Sequence, residues 1–450
     1  MTDIENNEER RQPRIFYGWW IVAAASILGM FGNGSISQGF PRFLLPIESS
    51  LGLTRDQMSL VFSLARAEGS VAGPAVGWLV DRFGARPMVF AGSITVGIGT
   101  ILLSQVNSYW MLMILFAGVI SLGKSAGLGQ TLMAGVNQWF IRRRHVAMSA
   151  LMTAFAGGGA LIVPLLNESI QWLGWRQTLI WTGVGILALT LPASFIIRSR
   201  PEDMGLRPDG DPPVDRAAES SGGRQSRGSS SAEFSFTFRE AIRTRTFWLM
   251  SVGAFMRVTV TNGMLVHIFA MMAERGLSED ESAAWVAAMF FLGIPLRFIL
   301  GVTTDKFRSN LMLAGGMAIG AVGMWGLWLG PGIVGLLAFV IGIAVVEGIT
   351  SVNWLMLSDY FGRARFATLM GFMSLFMNIG LFASPLFAGI VYRLTDSYWL
   401  VLAVFTPMYL VSALAFLLCT RPSPPTRGQR RWIGTETRAP QPAPSAGDGD

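Results

Sequence analysis

Gly77-Trp78-Leu79-Val80-Asp81-Arg82-Phe83-Gly84-Ala85-Arg86 packs one acid and two arginines between two long apolar stretches, roughly 57–80 and 87–106. A related run, Gly301-Val302-Thr303-Thr304-Asp305-Lys306-Phe307, returns at an offset of 224 positions (81 to 305), again at the end of an apolar stretch. Crossing about 30 Å of hydrocarbon takes roughly 20 mostly apolar helical residues. Working outward from the two runs, twelve such stretches can be marked, near 18–46, 57–80, 87–106, 109–137, 147–170, 176–197, 246–273, 282–304, 310–330, 332–358, 367–391 and 397–419. Helix is the only reading for them, because lipid cannot satisfy bare backbone groups and the runs are too long and too uniformly apolar for barrel strands. The expected fold class is an all-α membrane protein of twelve spans.

Two more echoes point to duplication. Gly159 and Pro164 recur as Gly380 and Pro385, and Gln138-Trp139-Phe140 recurs as Asp359-Tyr360-Phe361, both at an offset of 221 (164 to 385, 140 to 361). Repeats in one order at nearly one spacing predict two six-helix halves with a site at mid-depth between them. Between the halves, Pro201, Pro208, Pro212 and Pro213 lead into a Ser-, Gly- and Arg-rich stretch, read as a flexible linker. Thr237-Phe238-Arg239-Glu240 then fits the capping box of a short surface helix. The expected division is a tail over 1–16, one half over 17–198, the linker and surface helix over 199–245, the second half over 246–420 and a disordered tail over 421–450. The first apolar run contains Arg42 and has no obvious cleavage site, so it is read as span 1, not as a signal peptide.

Of the 450 residues, 51% are hydrophobic and 14% charged, far from an ordinary soluble domain. The formal charge of +7 is distributed as a topology signal, not as a nucleic-acid surface. Loops after spans 2, 4, 8 and 10 carry nine basic residues, namely Arg82, Arg86, Arg142, Arg143, Arg144, Lys306, Arg308, Arg363 and Arg365. The opposite loops carry four, Arg55, Arg176, Arg275 and Arg393. The positive-inside rule then puts both termini in the cytoplasm, in an inner or plasma membrane, with membrane lipid as a partner. One cysteine, Cys419, allows no intrachain disulfide. The two histidines, His145 and His267, fall in different halves, so no metal or cofactor and no enzymatic activity are expected; the chain is expected to act as a monomer.

The ten residues at 77–86 resemble the signature loop of the major facilitator superfamily between spans 2 and 3. Gly77 permits close helix approach, Asp81 suits a helix N-terminus, and Arg82 and Arg86 can bridge helix ends; with Asp305 these are the expected gating residues. Seven ionisable residues lie well inside spans: Arg42, Arg66, Glu68, Lys124, Arg257, Arg297 and Glu347. Spans 3, 6, 9 and 12, the outer ones in that superfamily, hold none. Five cations against two anions favour an anionic substrate, and an arginine fork suits a carboxylate. Arg42, Arg297, Lys124 and Arg257 are the candidate substrate ligands. Glu68, Glu347 and Arg66 are the candidates for coupling or charge pairing, with Arg257 as a partner for Glu68 and a Lys124–Glu347 bridge as further expectations.

Phe40-Pro41-Arg42 and Arg297-Phe298-Ile299-Leu300-Gly301 resemble segments of the monocarboxylate transporter and oxalate/formate antiporter group, as do Tyr17-Gly18-Trp19 and Arg200-Pro201-Glu202-Asp203-Met204-Gly205-Leu206. The resemblance covers about 15–420 and implies a carrier of a small organic anion, a monocarboxylate above all, with a proton as a candidate co-substrate. Gly293 stands where the monocarboxylate transporters have a proton-carrying aspartate, and span 11 has no lysine where the oxalate/formate antiporter uses one, Asn378 being the nearest polar residue. Carriers of drugs, sugars or amino acids, and a transporter-shaped sensor or scaffold, are the alternatives. Arg42 can also snorkel to headgroups, and Arg297 can instead support a gate.

Overall fold

The computed structural model describes residues 16–210, 235–330 and 332–423. The terminal tails and the centre of the linker read above therefore lie outside the described residues. Among the described residues, ten helices are long and apolar enough to cross a membrane. One of these, Arg144–Ile196, is two spans that meet at Gly174, whose φ of 79° is open to glycine and strained for other residues. The helix Arg55–Phe83 is long enough to cross as well but carries more charge, and with it and the division at Gly174 the ten become twelve.

We number the spans α1 (Tyr17–Leu51), α2 (Arg55–Phe83), α3 (Ala85–Leu103), α4 (Tyr109–Trp139), α5 (144–173), α6 (175–196), α7 (Arg245–Glu274), α8 (Glu279–Thr303), α9 (Ser309–Leu329), α10 (Gly332–Phe361), α11 (Phe366–Thr395) and α12 (Trp399–Leu417). Their ends are built from short-range chemistry. Thr54 with Gln57 and Ser278 with Glu281 form capping boxes at the starts of α2 and α8, and Thr237 with Glu240 does so for the surface turn Phe238–Ala241. Gly84, at φ 89°, turns α2 directly into α3. Large apolar side chains such as Trp110, Leu165, Val322 and Val334 point outward, as a lipid solvent requires.

Small residues set the helix contacts. A Cβ on Gly34 of α1 would lie 2.6 Å from the Gly158 carbonyl of α5, and one on Gly73 of α2 would lie 3.1 Å from the Gly371 carbonyl of α11. A side chain at Gly77 would collide with the Ala367 carbonyl. Backbones this close make strong dispersion contact where lipid offers no hydrophobic drive. Within the first half α1 lies on α5, and across the halves α2 runs along α11 and α5 along α8. Phe16 packs on Trp139 at the end of α4 and Arg421 reaches the Asp359 carbonyl at the end of α10, so both described chain ends fall on one side of the bundle, here the terminus side.

Candidate functional site

A cavity of about 630 Å³ opens between the halves. Its walls are Gln38 and Arg42 of α1, Ala156 to Val163 of α5, Met289 to Arg297 of α8, and Glu347 of α10. Pro41 shapes the first wall. Lacking a donor and clashing with the preceding turn, it cannot continue a regular helix, and α1 passes through a π stretch at Asn33–Gln38 and a 3-10 turn at Phe40–Phe43. Arg42 is thereby turned out as an exposed residue on the cavity wall. Asn33 Nδ2 fastens this irregular segment to the Phe155 carbonyl of α5 at 2.8 Å.

The opposite wall turns on a break in α10. The helix stops at Gly348 and restarts at Thr350, and the Glu347 carbonyl released by the break accepts Arg297 Nε at 3.2 Å and Nη2 at 3.1 Å. Arg297 Nη2 also donates to Glu347 Oε2 at 2.8 Å, and Ser351 Oγ donates to the Arg297 carbonyl at 3.1 Å. A cation at a helix C-terminal end is favoured by the dipole, and the ion pair adds charge to the bond. The pair is only partly shielded, with side-chain exposures of 16% and 23%. A Cβ on Gly293 would lie 3.9 Å from Glu347 Cβ, so α10 supplies an acid beside the α8 position that lacks one.

The first half repeats the break at the equivalent position. α4 stops at Gly127 and restarts at Gln130, and the Ala126 carbonyl, 221 positions before Glu347, accepts the Thr131 hydroxyl. Sequence reasoning missed both breaks. The signal was present in Gly127, Gly129 and Gly348, small residues at matched places in the two halves.

Arg42, Arg297 and Glu347 are thus brought to one cavity, whose walls do not include Glu68, Lys124 or Arg257. Arg257 of α7 is buried and donates through Nη1 to Thr350 Oγ1 at 3.1 Å, so it is not the partner of Glu68. Glu347 has Arg297 as its ion-pair partner in place of the expected Lys124. The two expected pairings fail for one reason: which neighbour a helical residue meets depends on rotation about the helix axis. Both Glu68 carboxylate oxygens lack a hydrogen-bond partner among the described residues. The Arg66 side chain lies outside what is described.

On the terminus side the halves are bonded together. Asp81 accepts from the N–H groups of Ala367 (3.3 Å) and Thr368 (2.9 Å) and from the Thr368 hydroxyl, at the N-terminus of α11. Ser358 donates to Asn137 at 2.7 Å, residues 221 positions apart, so the pseudo-twofold axis passes between them. Gln138 and Arg363 exchange side-chain to carbonyl bonds of 2.8 and 2.7 Å, and Arg144 pairs with Asp359 at 3.2 Å. Arg82 lies over the Trp78 ring (5.3 Å) and Arg86 near that of Phe195 (5.9 Å). Asp305 is exposed, with no side-chain bond among the described residues. The segment after α6 joins this layer. Glu202 pairs with Arg363 at 2.7 Å, and the Asp209 carboxylate gathers the N–H groups of Ile141, Arg142 and Arg143 at 2.7–3.1 Å.

Two six-helix halves, bonded at one end and parted around a charged cavity, define a membrane carrier. The chain belongs to the Major Facilitator Superfamily, whose family model matches residues 19–358. Among its relatives, the MFS-type transporter YhjX of Escherichia coli (strain K12) is 22% identical over 80% of this chain and 85% of its own. Monocarboxylate transporter 2 of Rattus norvegicus is 23% identical over 89% and 83%. Monocarboxylate transporter 11 of Mus musculus is 30% identical over 40% of each chain. In structure the chain is similar to the E. coli fucose:proton symporter FucP, with a TM-score of 0.66, 14% identity and coverage of 90% and 100%. It is an integral membrane transporter and not an enzyme.

Proposed function

We propose that this chain carries a small organic anion, a monocarboxylate above all, with the carboxylate drawn past Arg42 and held by the fork of Arg297. The observation that carries this reading is the charge on the cavity walls: two guanidinium groups against one carboxylate, a net positive site in which an anion is the complementary guest. The likeness to monocarboxylate transporters over most of the chain supports the same substrate class. Apolar neighbours such as Met289, Phe290 and Ile294 suit a short hydrocarbon tail.

We take the terminus side as cytoplasmic, from the nine-to-four distribution of basic loop residues. The bonded layer at Asp81, Asn137 and Arg363 is then the closed inner gate, and the cavity is loaded from outside. After loading, α11 must leave Asp81 for the inner side to open. A single cysteine placed within 217–232 should react with an impermeant maleimide only from the inner side; labelling of intact cells would reverse the orientation.

The substrate reading is tested on purified carrier by calorimetry with acetate, lactate and benzoate beside glucose and tetraethylammonium. At least one of the carboxylates should bind, and the neutral and cationic probes should not. Removing one partner of a desolvated charge pair costs about 2–5 kcal/mol, so Arg297→Gln should weaken carboxylate binding at least about tenfold. Arg297→Lys keeps the charge without the fork and should fall between glutamine and arginine. Wild-type affinity in Arg297→Gln would make Arg297 a structural residue and end the carboxylate reading.

A further inference from the structure

Behind the cavity stands a cation that the binding step leaves unused. Arg257 is 3% exposed, its Nη1 is bonded to Thr350, and its Nε has no partner among the described residues. A buried guanidinium with an idle donor is unfavourable unless an anion reaches it in some state of the protein. Thr350 lies just past the break in α10 and Glu347 less than one turn before it. Arg257 and Arg297 therefore approach one break, from α7 and α8.

We propose that Arg257 is a second seat for the Glu347 carboxylate, occupied when a substrate carboxylate takes the edge of Arg297. Arg257 is a positioning residue in this scheme, since it acts on substrate only through Glu347. The inference rests on the carboxylate reading above. With the site empty, one anion serves two cations and stays on Arg297. With the site loaded, substrate pairs with Arg297 and Glu347 pairs with Arg257, so neither cation is alone. The exchange turns the Glu347 side chain from Arg297 to Arg257. Arg297 keeps its bonds to the Glu347 carbonyl throughout, which holds its fork in place for the incoming anion. Thr261, which donates to the Arg257 carbonyl at 2.8 Å and is bonded to the Tyr409 hydroxyl at 3.0 Å, keeps that stretch of α7 fixed against α12.

The test is calorimetric binding of acetate, lactate and benzoate to purified wild type and to Arg257→Gln, Arg257→Lys, Glu347→Gln and the double variant Arg257→Gln/Glu347→Gln. In Arg257→Gln the substrate must displace Glu347 with no cation to receive it, so carboxylate binding should weaken at least about tenfold. The double variant has no carboxylate to displace and should recover to within about threefold of wild type. Arg257→Lys keeps the receiving charge and should also stay within about threefold of wild type. Glu347→Gln should bind at least as tightly as wild type. An Arg257 that merely supports the fold would leave the double variant no better than Arg257→Gln. That outcome, or unchanged binding in Arg257→Gln, rules out the second seat while Arg297 keeps its role. Should Arg257→Gln fail to fold, weaker binding in Glu347→Gln or a tenfold loss in Arg257→Lys rules it out instead. Unweakened binding in Arg297→Gln, or no carboxylate binding to wild type, removes the substrate reading and the seat with it.

Discussion

The breaks in α4 and α10 sit at equivalent places, and each releases a backbone carbonyl 221 positions from the other. In α4 the Ala126 carbonyl is satisfied by Thr131 of the same span, a neutral bond that involves no other helix. In α10 the Glu347 carbonyl is satisfied by Arg297 of α8, which brings a charge and a second helix to the break. The backbone device is shared by the halves, and the chemistry that completes it is not. One break is self-contained, and the other is open to anything that competes for a guanidinium. A membrane site thus arises where the repair of a broken helix is handed to a neighbouring cation.

The largest effect should come from Arg297→Met, which leaves the Glu347 carbonyl and carboxylate without their donor. Breaking a fully buried pair costs about 3–5 kcal/mol; partial exposure of this one lowers the expected loss to about 2–3 kcal/mol in thermal unfolding of the empty carrier. A loss below about 0.5 kcal/mol would mean that water completes the break as well as arginine does.

The two signature acids give the next contrast. Asp81 caps α11 across the halves, so Asp81→Asn should destabilise the closed terminus side by about 1–2 kcal/mol and slow turnover more than it weakens equilibrium binding. Asp305→Asn, at the repeat-related and exposed position, should stay within about 0.5 kcal/mol of wild type. Equal effects on turnover would make the loops equivalent and remove this asymmetry.

Thr131→Val is the mildest change. It removes the hydroxyl on the Ala126 carbonyl and should lower stability by about 1 kcal/mol while leaving carboxylate binding untouched. If it weakened binding as much as Arg297→Lys, the first break would belong to the site too, and the contrast between the halves would fail.

Much of this architecture could be read from the chain. The expected spans 57–80, 310–330 and 397–419 correspond to helices Arg55–Phe83, Ser309–Leu329 and Trp399–Leu417, because a bilayer fixes span length and loop charge fixes the ends. The junction at Gly174 fell between the expected spans 147–170 and 176–197. Arg42, Arg297 and Glu347 were recognised as candidates because charge inside an apolar run is costly wherever it occurs. Their grouping was not legible, nor was the bonding of Arg257 to Thr350 behind the cavity wall, since one residue of rotation about an axis sends a side chain to a different neighbour. The breaks were hidden because a helix can stop and restart within an apolar run without changing its hydropathy.

The strap after α6 has a consequence for how the chain is made. Asp209 closes on Ile141, Arg142 and Arg143, all synthesised before it, so the first half can finish its own terminus-side loop once the strap emerges. Glu202 has no such early partner among the described residues, since Arg363 is 161 residues further on. At about 5–20 residues per second its mate is translated roughly 8–30 s later. Through that interval Asp209 can fasten the strap to the first half while Glu202 still lacks its mate. It can serve as a built-in tether that keeps the docking edge of the first half presented while α7 to α10 are inserted.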